Sequence, residues 1–206
     1  MSTFKIDLEQ EHVLSLYLDT IYKSKSITFS RVDDSKQQHK GIDVIFTINS
    51  KNFFIDEKAQ LHYLNQDLPT FTFELSYLNK DGKISQGWLF DTNKQTDYYF
   101  LITGIHLKHK KEKLTHPSDI ENLKITSVNR KKLISHLESI GLSKSRLIDY
   151  DLDLRNHRTF GKNPIPELKV QKNGCLYFTE NLSEQPINLQ LRLSYLIENK
   201  IAKKFS

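Results

Sequence analysis

Gly41-Ile42-Asp43-Val44-Ile45-Phe46, followed by Phe53-Phe54-Ile55-Asp56-Glu57-Lys58-Ala59-Gln60, sets charged side chains among apolar, β-branched and aromatic neighbours. Charges inside apolar strands are costly unless they are paired or ligate a metal. Asn49-Ser50-Lys51-Asn52 lies between the two runs and has the composition of a turn. Residues 42–48 and 53–60 therefore read as a β-hairpin. Strand alternation places Asp56, Lys58 and Gln60 on one face, and Glu57 and Ala59 on the other. The hairpin brings Asp43 next to Asp56. Two close carboxylates repel each other and are best tolerated with a cation between them. Mg²⁺ suits such a place, because it takes one or two carboxylates, keeps several waters and meets substrate phosphates. Lys58 beside it is suited to positioning or deprotonating an attacking water and to offsetting phosphate charge.

Outward from the hairpin, residues 7–23 are predicted to be a helix. Asp7 is its expected cap, with Gln10 three residues on. Val13, Leu14, Tyr17, Leu18, Ile21 and Tyr22 recur at helical spacing. Residues 27–29 read as a short extended piece and 31–40 as a polar loop. After the hairpin, residues 71–78 read as a third strand with Phe71, Phe73, Leu75 and Tyr77 on one face. Asn79-Lys80-Asp81-Gly82 is a turn, and residues 85–90 pair back. Residues 98–105 are apolar enough for a strand buried on both faces. The fold class expected is α/β (α+β), with a mixed central sheet flanked by helices.

Helix, strand, turn and strand in this order, with these charges, resemble the PD-(D/E)xK nuclease superfamily and its restriction-endonuclease-like fold. The resemblance covers residues 9–105, about half of the chain. The family's first Asp maps to Asp43 and its (D/E)-x-K to Asp56-Glu57-Lys58; Ile42 stands where the name-giving Pro would be. The resemblance implies a Mg²⁺-dependent phosphodiesterase, most simply a DNA endonuclease of restriction, defence, repair or mobile-element type, with Mn²⁺ as a substitute ion. It implies Asp43 and Asp56 as metal ligands, Lys58 as the water-activating residue and an added acidic ligand on the first helix. Glu11 is preferred to Glu9 for that ligand, since it shares a face with Leu14 and Leu18. Gln60 is suited to touching water or phosphate, and Glu74 to facing the same site from a third strand. Asp97 is suited to capping or to pairing with a base.

Charge is divided along the chain. Residues 1–100 hold 11 Lys+Arg and 14 Asp+Glu, net −3, and residues 101–206 hold 19 and 11, net +8. An acidic half that takes cations and a basic half that takes phosphates fit one nucleic-acid enzyme. Residues 1–105 are expected to form the nuclease-like core and residues 106–206 a basic, mostly helical part packed on the same domain. Within the latter, residues 128–140 read as a helix capped by Ser127, with Leu133, Ile134 and Leu137 inward and Gly141 ending it. Ser143 caps a second helix to residue 150, residues 155–169 loop, residues 175–179 form a strand, and residues 188–203 form a terminal helix. Arg130, Lys131, Lys132, Arg155 and Arg158 are the candidate nucleic-acid contacts. Lys144, Arg146 and Lys162 lie nearby in sequence, with Tyr150, His157 and Phe160 available for stacking on bases.

Other chemistries lack support. The single cysteine, Cys175, excludes a disulfide framework within the chain and argues against a cysteine-based zinc site. His106, His109 and His116 have no metal-binding spacing and read as part of a basic loop. No phosphate-cradling glycine motif and no G-x-S-x-G is present. The opening residues lack a basic segment followed by an apolar run, and no stretch approaches membrane-spanning length. A cytoplasmic protein without membrane contact is expected, and a homodimer is open to it. Two further readings fit the residues: an inactive nucleic-acid- or protein-binding module on the same fold, and a small interaction or inhibitor protein.

Overall fold

The computed structural model describes residues 3–206, with side chains from Leu8 onward. The fold is mixed α/β, with a six-stranded mixed sheet, a five-stranded sheet and flanking helices. The chain divides into two compact units whose segments alternate along the sequence. The first takes the residues up to Leu68, then Gln95–Asn129 and Lys203–Ser206. The second takes Pro69–Lys94 and Arg130–Ala202. The position 105/106, expected to part core from C-terminal half, lies inside a strand of the first unit.

The first unit begins with α1 (Thr3–Ser24). It starts before Asp7, which therefore lies within the helix and is not its cap. Next come β1 (Thr28–Arg31), a short α2 (Ser35–His39) capped by Asp34, β2 (Val44–Ile48) and β3 (Lys51–Ala59). α2 interrupts what reads in sequence as loop. β1, β2 and β3 pair antiparallel in succession. The sheet order is not sequential beyond β3. The segment 70–94 leaves this unit, and β6 (Tyr98–Leu107) then joins β3 in parallel. β7 (Ile120–Asn129) returns antiparallel to β6, and β11 (Ala202–Lys204) closes the far edge. β6 is buried along nearly its whole length, as its apolar run requires.

α1 covers one face of this sheet. Leu14, Leu18 and Tyr22 recur at helical spacing and bury against Val44, Phe46, Ile55, Phe100 and Ile102. Tyr22 is fully buried and meets Phe46 edge to face at 4.8 Å between ring centroids. Phe205, from the last segment of the chain, lies 4.7 Å from Phe100 in the same aromatic group. β7 corrects the expected start of the third helix: Ser127 sits within a strand, and α3 (Arg130–Ser139) follows it. Ile120, Leu123, Ile125, Thr126 and Val128 are the buried positions of β7.

The second unit holds β4 (Thr70–Leu78), β5 (Ile84–Gln86), α3, α4 (Lys144–His157), β8 (Gly161–Asn163), β9 (Gly174–Phe178), β10 (Ile187–Arg192) and α5 (Leu193–Glu198). Its sheet runs β5-β4-β10-β9-β8, antiparallel throughout. The third strand of the expected single sheet is thus a member of a second sheet. Ser143 caps α4 by accepting the Arg146 N–H, as expected, but the helix runs on to His157. The expected helix over 188–203 is instead strand, short helix and strand. Ile187-Asn188-Leu189-Gln190-Leu191-Arg192 alternates buried and half-buried residues, a period of two. Gly174, at φ 154°, lets β9 approach Gln190, where a Cβ would lie 2.0 Å from the carbonyl oxygen.

Candidate functional site

The site starts from a two-residue turn. Asn49 and Ser50 both take the left-handed conformation, at φ 50° and 61°, as a tight hairpin turn requires. That turn sets Ile48 opposite Lys51 and Val44 opposite Ile55. One step further, the Asp43 N–H donates to the Ile55 carbonyl at 2.9 Å, which brings Asp43 level with Asp56. The Glu57 N–H donates to Asp43 Oδ2 at 2.7 Å and fixes that carboxylate. The expected pairing of Asp43 with the Asp-Glu-Lys strand is present in the structure.

Asp56 is only 1% exposed. Its Oδ1 lies 2.7 Å from Lys58 Nζ. Its Oδ2 is buried and has no hydrogen-bond partner among the described residues. A buried carboxylate oxygen left unsatisfied is costly, so such atoms demand an explanation. Asp43 is pushed up to about 7, first by burial and then by the charge of Asp56, with Lys58 working the other way. At Lys58 burial opposes the charge, but Asp56 outweighs it and Asp43 and Glu11 add to it. The lysine is held above its ordinary value and stays protonated.

Asp43 and Lys58 open into a cleft of about 400 Å³ beside α1. Glu11 lines the same cleft and is near enough to bias Lys58. Asp33 and Gln38 form part of another wall. Glu57, on the opposite strand face from Asp56, accepts a hydrogen bond from the Tyr22 hydroxyl and one from Arg31 Nη1, both at 2.5 Å. Arg31 also donates to Asp19 Oδ1 and to the Ser15 carbonyl of α1. Burial disfavours the Arg31 charge, and Glu57 with Asp19 more than restores it. Burial and the Glu57 charge push Tyr22 well above its ordinary value. The middle residue of Asp-Glu-Lys is therefore clamped to α1 and β1. This clamp was not foreseen, although strand alternation leaves Glu57 facing the apolar side, where it needs a cation.

Among the described residues no group of three or more His, Cys, Asp or Glu side chains is gathered in a metal-binding arrangement. A cation held here would draw on the Asp43–Asp56 pair. Mg²⁺ is compatible with that, since waters and substrate phosphates commonly complete its shell. The orphaned Asp56 oxygen beside a second carboxylate fits a hard divalent cation.

The remaining candidates lie as follows. Glu9 is exposed on α1. Gln60 follows β3, donates its N–H to the Ile102 carbonyl and is not among the walls of the cleft. Glu74 belongs to β4 and the second sheet, which corrects the expectation that it joins the site from a neighbouring strand. Asp97 ties β3 to the start of β6, accepting the Phe54 N–H at 2.9 Å and donating its own N–H to the Phe54 carbonyl. The candidate nucleic-acid contacts all belong to the second unit. Arg130 donates to the Asp91 carbonyl, and Lys132 reaches the Lys200 carbonyl. Lys131 is exposed, and Arg158 ends α4 in the left-handed conformation over the Phe160 ring. Arg155 turns inward to Asp151 and Ser76. Comparison with protein-family models, curated proteins and solved structures found no match. No helix among the described residues is long and apolar enough to cross a membrane.

Proposed function

We propose that the first unit is a Mg²⁺-dependent nuclease that hydrolyses phosphodiester bonds, most simply in DNA, with the site geometry of the PD-(D/E)xK enzymes it resembles. One observation carries the reading: a buried carboxylate oxygen of Asp56, without a hydrogen-bond partner among the described residues, on the same hairpin end as Asp43. Asp43 and Asp56 would hold the ion, which when bound neutralises phosphate charge and makes a water more acidic.

The chain's own groups supply the rest. The Glu57 N–H orients Asp43, and the clamp of Tyr22 and Arg31 on Glu57 keeps that N–H in place. Lys58 remains an ammonium, so it orients a water or a phosphate oxygen by donating to it and balances developing negative charge. Glu11 on the cleft wall adds an acceptor for the same water. The cleft beside α1 gives the phosphodiester a partly enclosed place next to Lys58.

The test is cleavage of supercoiled plasmid, single-stranded DNA and RNA in Mg²⁺, in Mn²⁺ and in EDTA, with Lys58→Ala in parallel. Metal-dependent cutting by the parent chain, lost in a Lys58→Ala protein that remains folded and still binds DNA, is the expected result. A Lys58→Ala protein that cuts at the parent rate would overturn the mechanism. Absence of cutting with DNA binding retained would favour a binding module.

A further inference from the structure

Between β6 and β7 the first unit carries a basic hook. Residues 106–116 read His-Leu-Lys-His-Lys-Lys-Glu-Lys-Leu-Thr-His, with four lysines and one glutamate. Lys108, His109, Lys110 and Lys113 are exposed. Lys111 pairs with Asp119 at 2.6 Å, whereas Lys108, Lys110 and Lys113 form no ion pair among the described residues. Gathering like charges on a short turn costs self-repulsion, which favours a splayed, mobile loop.

The hook is instead pinned at several points. Buried Asp119 accepts from the Lys111 ammonium, the Thr115 N–H and hydroxyl, and the His116 N–H. Asn65 fastens both arms, accepting the Leu107 N–H and donating to the Lys111 carbonyl. His109 and Lys110 are both left-handed, at φ 57° and 51°. Two successive bulky residues hold that conformation only where their surroundings over-determine it. The returning arm then meets α1, where the Leu114 N–H donates to Gln10 Oε1, one residue before the cleft-lining Glu11. Preordered, exposed cations without an ion pair among the described residues, on a hook whose returning arm touches α1 next to Glu11, suit a polyanion running on from the cleft.

We propose that this hook is a phosphate-backbone grip, in which Lys108, Lys110 and Lys113 contact successive phosphates of the nucleic acid whose cleaved bond lies in the cleft. The choice of ligand class rests on the nuclease reading. The fluorescence anisotropy of labelled single-stranded and duplex oligonucleotides, titrated with the protein in EDTA across a salt series, tests it without cutting. The triple variant Lys108→Glu, Lys110→Glu, Lys113→Glu is expected to lose at least tenfold in affinity. Its log-affinity against log-salt slope should flatten by about 2 to 3, at ~0.7–0.9 per phosphate contact. Thermal melting of the triple variant should match the parent, because the three side chains are exposed. An unchanged salt slope, or parent binding to anionic lipid vesicles without binding to either oligonucleotide, would overturn the proposal. A hook-dependent slope in a chain that never cuts would sink the nuclease reading alone; metal-dependent cutting with a hook-independent slope would sink this one alone.

Discussion

Asp56 in the first unit and Asp151 in the second are both buried carboxylates facing a cation, and they differ in how completely they are satisfied. Asp151 is 5% exposed; its Oδ1 accepts from Arg155 Nε at 2.9 Å and its Oδ2 from the Ser76 hydroxyl. Arg155 also donates to Ser76 Oγ and to the Gln185 carbonyl. Both carboxylate oxygens are thus engaged, as a structural ion pair in a protein interior must be. Asp56 has one oxygen on Lys58 and one with no hydrogen bond among the described residues. A second carboxylate, Asp43, lies beside it, which worsens the electrostatics. Burial alone does not mark a functional acid. Incomplete pairing next to a like charge is the feature that favours a ligand, and it is what the proposed cation site rests on.

The comparison can be broken in graded ways. The largest effect is expected for Asp56→Ala, which should reduce metal-dependent cleavage by more than the ~10- to 100-fold that loss of a ligand's outer partner costs. Its melting temperature in EDTA should stay near the parent value. Asp151→Ala should do the reverse. It should lose on the order of 3–5 kcal/mol of stability in denaturant titrations, as removal of one partner from a buried pair does, with an unchanged cleavage rate per folded molecule. If the two variants exchanged these phenotypes, the assignment of one acid to structure and the other to function would fail.

A smaller effect comes from pH. Asp43 holds its proton to about 7 in the fold, while its ordinary value is 3.8. The folded chain therefore binds more protons than the unfolded one between these values, and stability falls as pH rises across that window. Above it the full penalty, on the order of 4 kcal/mol at ~1.4 kcal/mol per unit, is present. Asp43→Asn should melt higher than the parent at pH 8 in EDTA, with the gap closing toward pH 4. Added Mg²⁺ should raise the melting temperature of the parent at pH 8 and leave that of the variant unchanged. A gap that is constant with pH would place the charge strain elsewhere. The smallest effect concerns the turn that sets the register. Ser50→Gly should stabilise by about 0.5–1 kcal/mol, since glycine adopts the left-handed conformation without steric cost.

The hairpin and the juxtaposition of its charged residues were legible because their signal is local. Asp43, Asp56 and Lys58 stand out against apolar neighbours, and a short turn between them leaves few registers to choose from. α1, β6 and the capping of α4 by Ser143 were legible for the same reason, each written in one uninterrupted pattern. The second sheet was not. β4 pairs with β10, more than a hundred residues later, and nothing within residues 70–78 names that partner. β10 and α5 were read as one helix because Leu189, Leu193 and Leu196 fit helical spacing while Leu189 and Leu191 fit a strand. Short apolar runs do not decide between the two periods. β7 was missed because Glu121, Asn122 and Lys124 break its apolar pattern, and Ser127 resembles a cap. The inward turn of Arg155 depends on Ser76, which is distant in sequence and silent in pattern.

Phe205 packs in the aromatic group under α1, and the Phe205 N–H donates to the Ile125 carbonyl at the sheet edge. The first unit is therefore assembled from segments that lie on both sides of the second in the order of synthesis. On the ribosome, Asp43, Asp56 and Lys58 are made early, but the core behind them lacks its final ring until residue 205 has emerged. The second unit has all of its own segments by residue 202 and can condense first. A chain cut short by a premature stop before residue 205 would thus carry every residue of the proposed cation site without the packing that holds it. Such truncated products are expected to be open to proteolysis and inert toward DNA.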